Sequence, residues 1–70
     1  MFVKLKGVYV ERESLTTPPL EEFVINTQEV LRVRRETDVR TVLRFRNGDE
    51  AKVDLPLDQV LQALQAAHSA

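Results

Sequence analysis

The sequence predicts a mainly β (α+β) fold: a small bent antiparallel sheet, or partly open barrel, of four to five strands with one C-terminal helix. Three observations carry this. Apolar and charged residues alternate along most segments before residue 56, the period of a half-buried strand. Asn47-Gly48 separates two such runs, and this dipeptide is the strongest short-range hairpin signal. Beyond Pro56 the spacing changes to the three- and four-residue steps of an amphipathic helix. A chain of 70 residues makes one domain, spanning 1–70.

The first strand is read over Phe2 to Val10. Val3 and Leu5 alternate with Lys4 and Lys6, then the apolar alternation passes to Val8 and Val10. A glycine at that change of phase, Gly7, predicts a bulge or sharp bend. Glu11 to Pro19 is polar and ends in two prolines, which supply no amide donors, so it reads as a long loop. Glu22 to Asn26 is a short strand ending at a residue suited to a turn. Val30 to Arg35 is the next, with Leu31 and Val33 on one face and Arg32 and Arg34 on the other. Glu36-Thr37-Asp38 makes a turn. Val39 to Arg46 then places Val39, Thr41, Leu43 and Phe45 on one side and Arg40, Val42, Arg44 and Arg46 on the other.

The parity of the hairpin that follows is fixed by its loop length. A two-residue loop, Asn47-Gly48, would set Phe45 opposite Glu50 and place apolar against charged at every rung. A three-residue loop, Arg46-Asn47-Gly48 with Gly48 left-handed, pairs Leu43 with Ala51, Thr41 with Val53 and Val39 with Leu55. It also sets Arg44 opposite Glu50 and Arg40 opposite Asp54. A one-residue slip moves a whole face from core to water, so the odd loop is expected. Leu57 to Ala67 form the helix, with Pro56 at its start and Asp58 in its first turn. Leu57, Val60, Leu61 and Leu64 make its apolar stripe. His68-Ser69-Ala70 are expected to fray.

Charge is segregated along the chain. The formal net charge is -1. Residues 11–31 carry five glutamates against Arg12, which leaves -4, and residues 32–46 carry six arginines against Glu36 and Asp38, which leaves +4. Arginine offers a planar fork suited to carboxylate or phosphate. Arg32, Arg34, Arg40, Arg44 and Arg46 are therefore the candidate binding residues, for RNA or ssDNA if a sheet face presents them together. Against that reading stand the acidic balance of the whole chain and the inward direction expected for Phe45, since single-strand binding relies on stacking aromatics. Cross-strand neutralisation by Glu50 and Asp54 is the alternative fate of Arg44 and Arg40.

Catalytic chemistry has little to draw on. Cysteine is absent and His68 is the sole histidine, set near the chain end, so no catalytic residue, metal site or cofactor is expected. Glu21-Glu22 and Asp49-Glu50 are adjacent carboxylates, which extended backbone points to opposite faces. Two glycines, Gly7 and Gly48, cannot build a phosphate-cradling loop. Tyr9 could place its hydroxyl at an interface, although a partly buried position is the commoner fate of a strand tyrosine. No run reaches the length of a membrane span, and no apolar stretch of signal-peptide type follows Lys4 and Lys6. A cysteine-free chain fits a reducing compartment, so a cytoplasmic location is expected.

Several stretches resemble the FlbD family of short bacterial flagellar proteins. They are Phe2-Val3-Lys4-Leu5-Lys6-Gly7, then Phe23-Val24-Ile25-Asn26 with Val30 and Val33, then Asp38, Asn47-Gly48 and Val53 with Asp58, Val60 and Leu64. Against that pattern residues 8–22 are an insertion and the Val39–Arg46 strand is longer. The general shape is also similar to Sm-like small barrels, which bind RNA through oligomeric rings, although their signature glycine and asparagine positions are not present. Below about 70–80 residues a single core supplies little stability, and small folds commonly add disulfides, a metal or a partner subunit. The expected function is thus a non-enzymatic interaction module acting as a homo-oligomer, a dimer first. The alternative is an RNA- or ssDNA-binding module using the five arginines, and an acidic protein is the remaining partner class.

Overall fold

Alternation becomes five strands: β1 (Phe2–Val10), β2 (Glu21–Asn26), β3 (Val30–Thr37), β4 (Arg40–Phe45) and β5 (Glu50–Val53). Helix α1 (Leu57–Ser69) follows, and a 3-10 turn at Thr27–Glu29 joins β2 to β3. This is a computed structural model, and it describes residues 1–13, 15–16 and 18–69, with side chains up to residue 67. All ladders are antiparallel in one open sheet of order β2-β1-β5-β4-β3. The two edge strands are consecutive in sequence, and this curls the sheet. Asn26 and Val30 are four residues apart, a reach of at most about 14 Å, whereas the edges of a flat five-stranded sheet lie about 19 Å apart. The sheet bends to bring the edges near each other, yet no ladder joins β2 to β3 among the described residues.

The concave side holds the core: Leu5, Ile25, Leu43, Phe45, Ala51, Val53 and Val60 are buried together. Val3, Tyr9, Phe23, Val30, Val33, Leu55 and Leu64 pack around them. Helix α1 lies against β1, β3, β4 and the 3-10 turn, and delivers Val60 into this core. It starts at Pro56, whose carbonyl accepts from the Val60 N–H at 3.1 Å. It is too short to cross a membrane.

The hairpin register is the one the odd loop requires. Thr41 pairs with Val53, Leu43 with Ala51 and Arg44 with Glu50. The loop closes through Phe45 N–H to the Asp49 carbonyl at 2.9 Å and Gly48 N–H to the Phe45 carbonyl at 3.0 Å. Gly48 has φ of +94°, a region that glycine enters without a Cβ penalty.

Four expectations need correction. The first concerns β1, which has no change of phase: Val3, Leu5, Gly7 and Tyr9 all face inward, and Val8 and Val10 lie on the convex side. Gly7 has a different role. β1 pairs with β2 over Phe2–Gly7 and with β5 over Gly7–Val10, so Gly7 alone belongs to both ladders. A Cβ there would lie 2.0 Å from the Lys52 carbonyl oxygen. Backbone approach, rather than a bulge, selects glycine at this corner.

Leu31 is the second correction. The register shifts between Val30 and Arg32, and Leu31 is 62% exposed, so Val30 and Val33 supply the inward side chains of β3. Third, β3 runs to Thr37, so the turn falls at Asp38-Val39 and the Val39–Leu55 rung does not form. Val39 is exposed, and its N–H donates to Thr37 Oγ1 at 3.2 Å. Val42 sits on the charged face, where the alternation places it, and is only 2% exposed. Fourth, Leu61 is exposed: Val60 and Leu64 are the helix residues that meet the core, and Leu61 falls off that line. The helix backbone continues to Ser69, while the His68 side chain and all of Ala70 lie outside the described residues.

Candidate functional site

Two bulges set the arginines of β3 in place. The shift at Leu31 puts Arg32 opposite Arg44 and Arg34 opposite Val42, and a second shift lies between Arg35 and Thr37. Inward Val33 and Leu43 fix the parity, so Arg32, Arg34 and Arg44 all project from the convex face. With Val42 and Glu50 they line a depression of about 40 Å³. Val42 lies outside the main core cluster, and arginine stems commonly cover such apolar ground while their heads stay in water.

Among the described residues, Arg32, Arg34 and Arg44 have no carboxylate within 4.0 Å. Glu50 is opposite Arg44 in register and lines the same depression, but forms no ion pair with it. Like charges directly across a ladder, as at Arg32 and Arg44, destabilise a sheet. The other two candidates are already engaged. Arg40 Nε meets Asp54 Oδ1 at 3.3 Å, the neutralisation expected for that rung. Arg46 Nε donates to the Gln28 carbonyl at 3.1 Å, and its backbone N–H donates to the Glu29 carbonyl at 2.9 Å. Arg46 thereby ties the hairpin loop to the 3-10 turn. The structure gathers three of the five arginines and separates two.

A neighbouring cleft of about 290 Å³ on the convex face is lined by Val8, Val10, Thr16, Pro18, Arg40 and Lys52. The polar loop therefore folds back over the sheet beside the arginines. Lys52 reaches Glu36 at 3.9 Å, and Lys4 meets Glu22 at 2.8 Å. That contact holds the Glu22 carboxyl below, and the Lys4 ammonium above, their ordinary values.

No family model, curated protein or solved structure matches this chain. What its surface does rests on the chemistry of the residues themselves.

Sequence reasoning missed a second cluster, centred on Asp49. The Tyr9 hydroxyl donates to Asp49 Oδ2 at 2.7 Å, and the Arg12 backbone N–H donates to Oδ1 at 2.8 Å. Asn47 donates to Oδ2 at 3.1 Å and accepts from the Asp49 N–H at 2.9 Å. Asn47 is a local partner within the hairpin loop, but Tyr9 and Arg12 come from β1 and the following loop, 40 and 37 residues away in sequence, which no local spacing betrays. The Tyr9 ring stacks on Phe45 at 5.4 Å and meets Phe23 edge-on at 5.6 Å. Burial, then the hydrogen bond to Asp49, pushes the Tyr9 phenol up to about 12. The Tyr9 hydroxyl and the Arg12 amide hold the Asp49 carboxyl below the usual range.

A phenol held there stays protonated at neutral pH and its proton is committed to a carboxylate. The cluster is a clasp joining two loops to the core. Beside it lies a cleft of about 220 Å³ lined by Tyr9, Val24, Ile25, Asn26, Glu29, Phe45 and Asn47. The convex depression is different in kind: three guanidinium groups border space for one small oxyanion group. Paired forks of this sort suit a carboxylate or a phosphate.

Proposed function

We propose that the chain is a small non-enzymatic interaction module acting as a homo-oligomer, a dimer first, in the cytoplasm. The observation that carries this reading is the open sheet. Among the described residues β2 pairs only with β1 and β3 only with β4, so each edge strand keeps one side without a ladder partner there. Each edge also exposes an apolar side chain, Val24 on β2 and Leu31 on β3, both at 62%. Free edges with apolar side chains favour association unless something covers them. A domain near this size buries only about 60% of its unfolded surface, so a second subunit adds burial where the core is thin. Sedimentation at micromolar concentration tests the reading, and a stable monomer contradicts it.

The unpaired state of Arg32, Arg34 and Arg44 favours a second reading, RNA or ssDNA binding on the convex face. Tyr9, Phe23 and Phe45 all lie on the core side, and the exposed Phe2 stands on β1, which β5 separates from β4, so that binding would rest chiefly on phosphate contacts. Affinity would then fall log-linearly with salt. An oligonucleotide series at low salt with no shift removes this reading.

A further inference from the structure

Three arginines and one carboxylate, Glu50, line one small depression, and among the described residues none of the three arginines has a carboxylate within 4.0 Å, so positive charge is left in excess there. Arg32 and Arg44 face each other directly across a ladder, an arrangement relieved by an anion placed between them. The depression, about 40 Å³, has room for one carboxylate-sized group. Buried Val42 lines the depression together with the three exposed arginines.

The same chain carries the complementary charge. Glu11, Glu13 and Glu21 are exposed and have no cation within 4.0 Å among the described residues. Residues 11–31 carry -4 and residues 32–46 carry +4, so the surface is self-complementary while the net charge stays at -1. A long polyanion would gain from the second block and lose from the first. We propose that the depression lined by Arg32, Arg34 and Arg44 takes carboxylates from among Glu11, Glu13 and Glu21 of a second copy of this chain. In a two-fold pair the contact is made twice, each acidic segment meeting the other copy's arginines. This rests on the homo-oligomer reading and specifies which surfaces meet.

A charge-exchange experiment tests it. One variant carries R32E, R34E and R44E, the other E11K, E13K and E21K. Each is examined alone and in an equimolar mixture by sedimentation at low salt, with circular dichroism as the check on folding. Each variant alone is expected to associate about a hundredfold more weakly than the wild type, since like-charge contacts cost several kcal/mol. The mixture is expected to recover association near the wild-type level. If a variant does not fold, Arg34→Gln with a salt titration of the wild type replaces it, and both are expected to loosen the assembly. An assembly indifferent to these changes and to salt overturns the charge contact and leaves the homo-oligomer standing. A wild-type monomer under all conditions removes both. A monomer that binds a single-stranded oligonucleotide through these arginines assigns the depression to phosphate and overturns the proposal.

Discussion

At the scale of single residues, backbone approach and hydrogen bonding decide more than hydrophobicity does. Gly7 is required because a Cβ would meet the Lys52 carbonyl at 2.0 Å, and rigid backbone cannot yield as a side chain would. Gly7→Ala is expected to destabilise the protein by about 3 kcal/mol or more, measured as a fall in the urea midpoint. Tyr9 is the only tyrosine and the chain has no tryptophan, so ultraviolet absorbance follows this phenol alone. Its titration is expected near 12 in the native protein and near the ordinary tyrosine value of about 10 in the unfolded chain. Because the folded phenol holds its proton more tightly than the unfolded one, its contribution to stability is full below about pH 10 and is lost as pH rises toward 12. Tyr9→Phe should remove that alkaline loss and cost about 1.5 kcal/mol at neutral pH through the missing hydrogen bond to Asp49. Asp49 has the opposite sign. Its lowered folded value gives stability that is present above the unfolded carboxylate range and lost as pH falls through the folded one.

Elements were legible wherever the alternation and the turn chemistry agreed. The β4–β5 hairpin is the clearest case, since the parity of Leu43 with Ala51 and of Thr41 with Val53 follows from one glycine and a period of two. Strand β1 misleads because Val8 and Val10 are apolar yet convex, under the polar loop, while Tyr9 turns inward to reach Asp49. Leu31 and Val39 mislead because a bulge and a tight turn remove them from the alternation, and neither event leaves a mark in composition. Among the candidate arginines, the shared face of Arg32, Arg34 and Arg44 follows from periodicity. The engagement of Arg46 with the 3-10 turn depends on the curl that joins both edges, a long-range property. The helix stripe gives a direct check. Val60→Ala is expected to cost about 2 kcal/mol, while Leu61→Gln, on the exposed side, stays within about 0.5 kcal/mol. Equal effects in thermal denaturation would place Leu61 in the core and contradict the packing.

For the whole molecule, curl and charge belong together. A three-residue turn between the two edges bends the sheet around its core without closing it, and α1 covers part of that core. Among the described residues, the bend leaves a convex face on which three arginines have no carboxylate within 4.0 Å, while Glu11 and Glu13 in the polar loop and Glu21 at the start of β2 have no cation within that distance. A net charge of -1 therefore describes neither surface. In our account a second copy supplies what the single sheet lacks, both burial and neutralisation. Sedimentation equilibrium of the wild-type protein at micromolar concentration, in low and in high salt, tests this most directly. We predict a defined oligomer at low salt that loosens as salt rises. A monomer at every salt concentration would contradict the account.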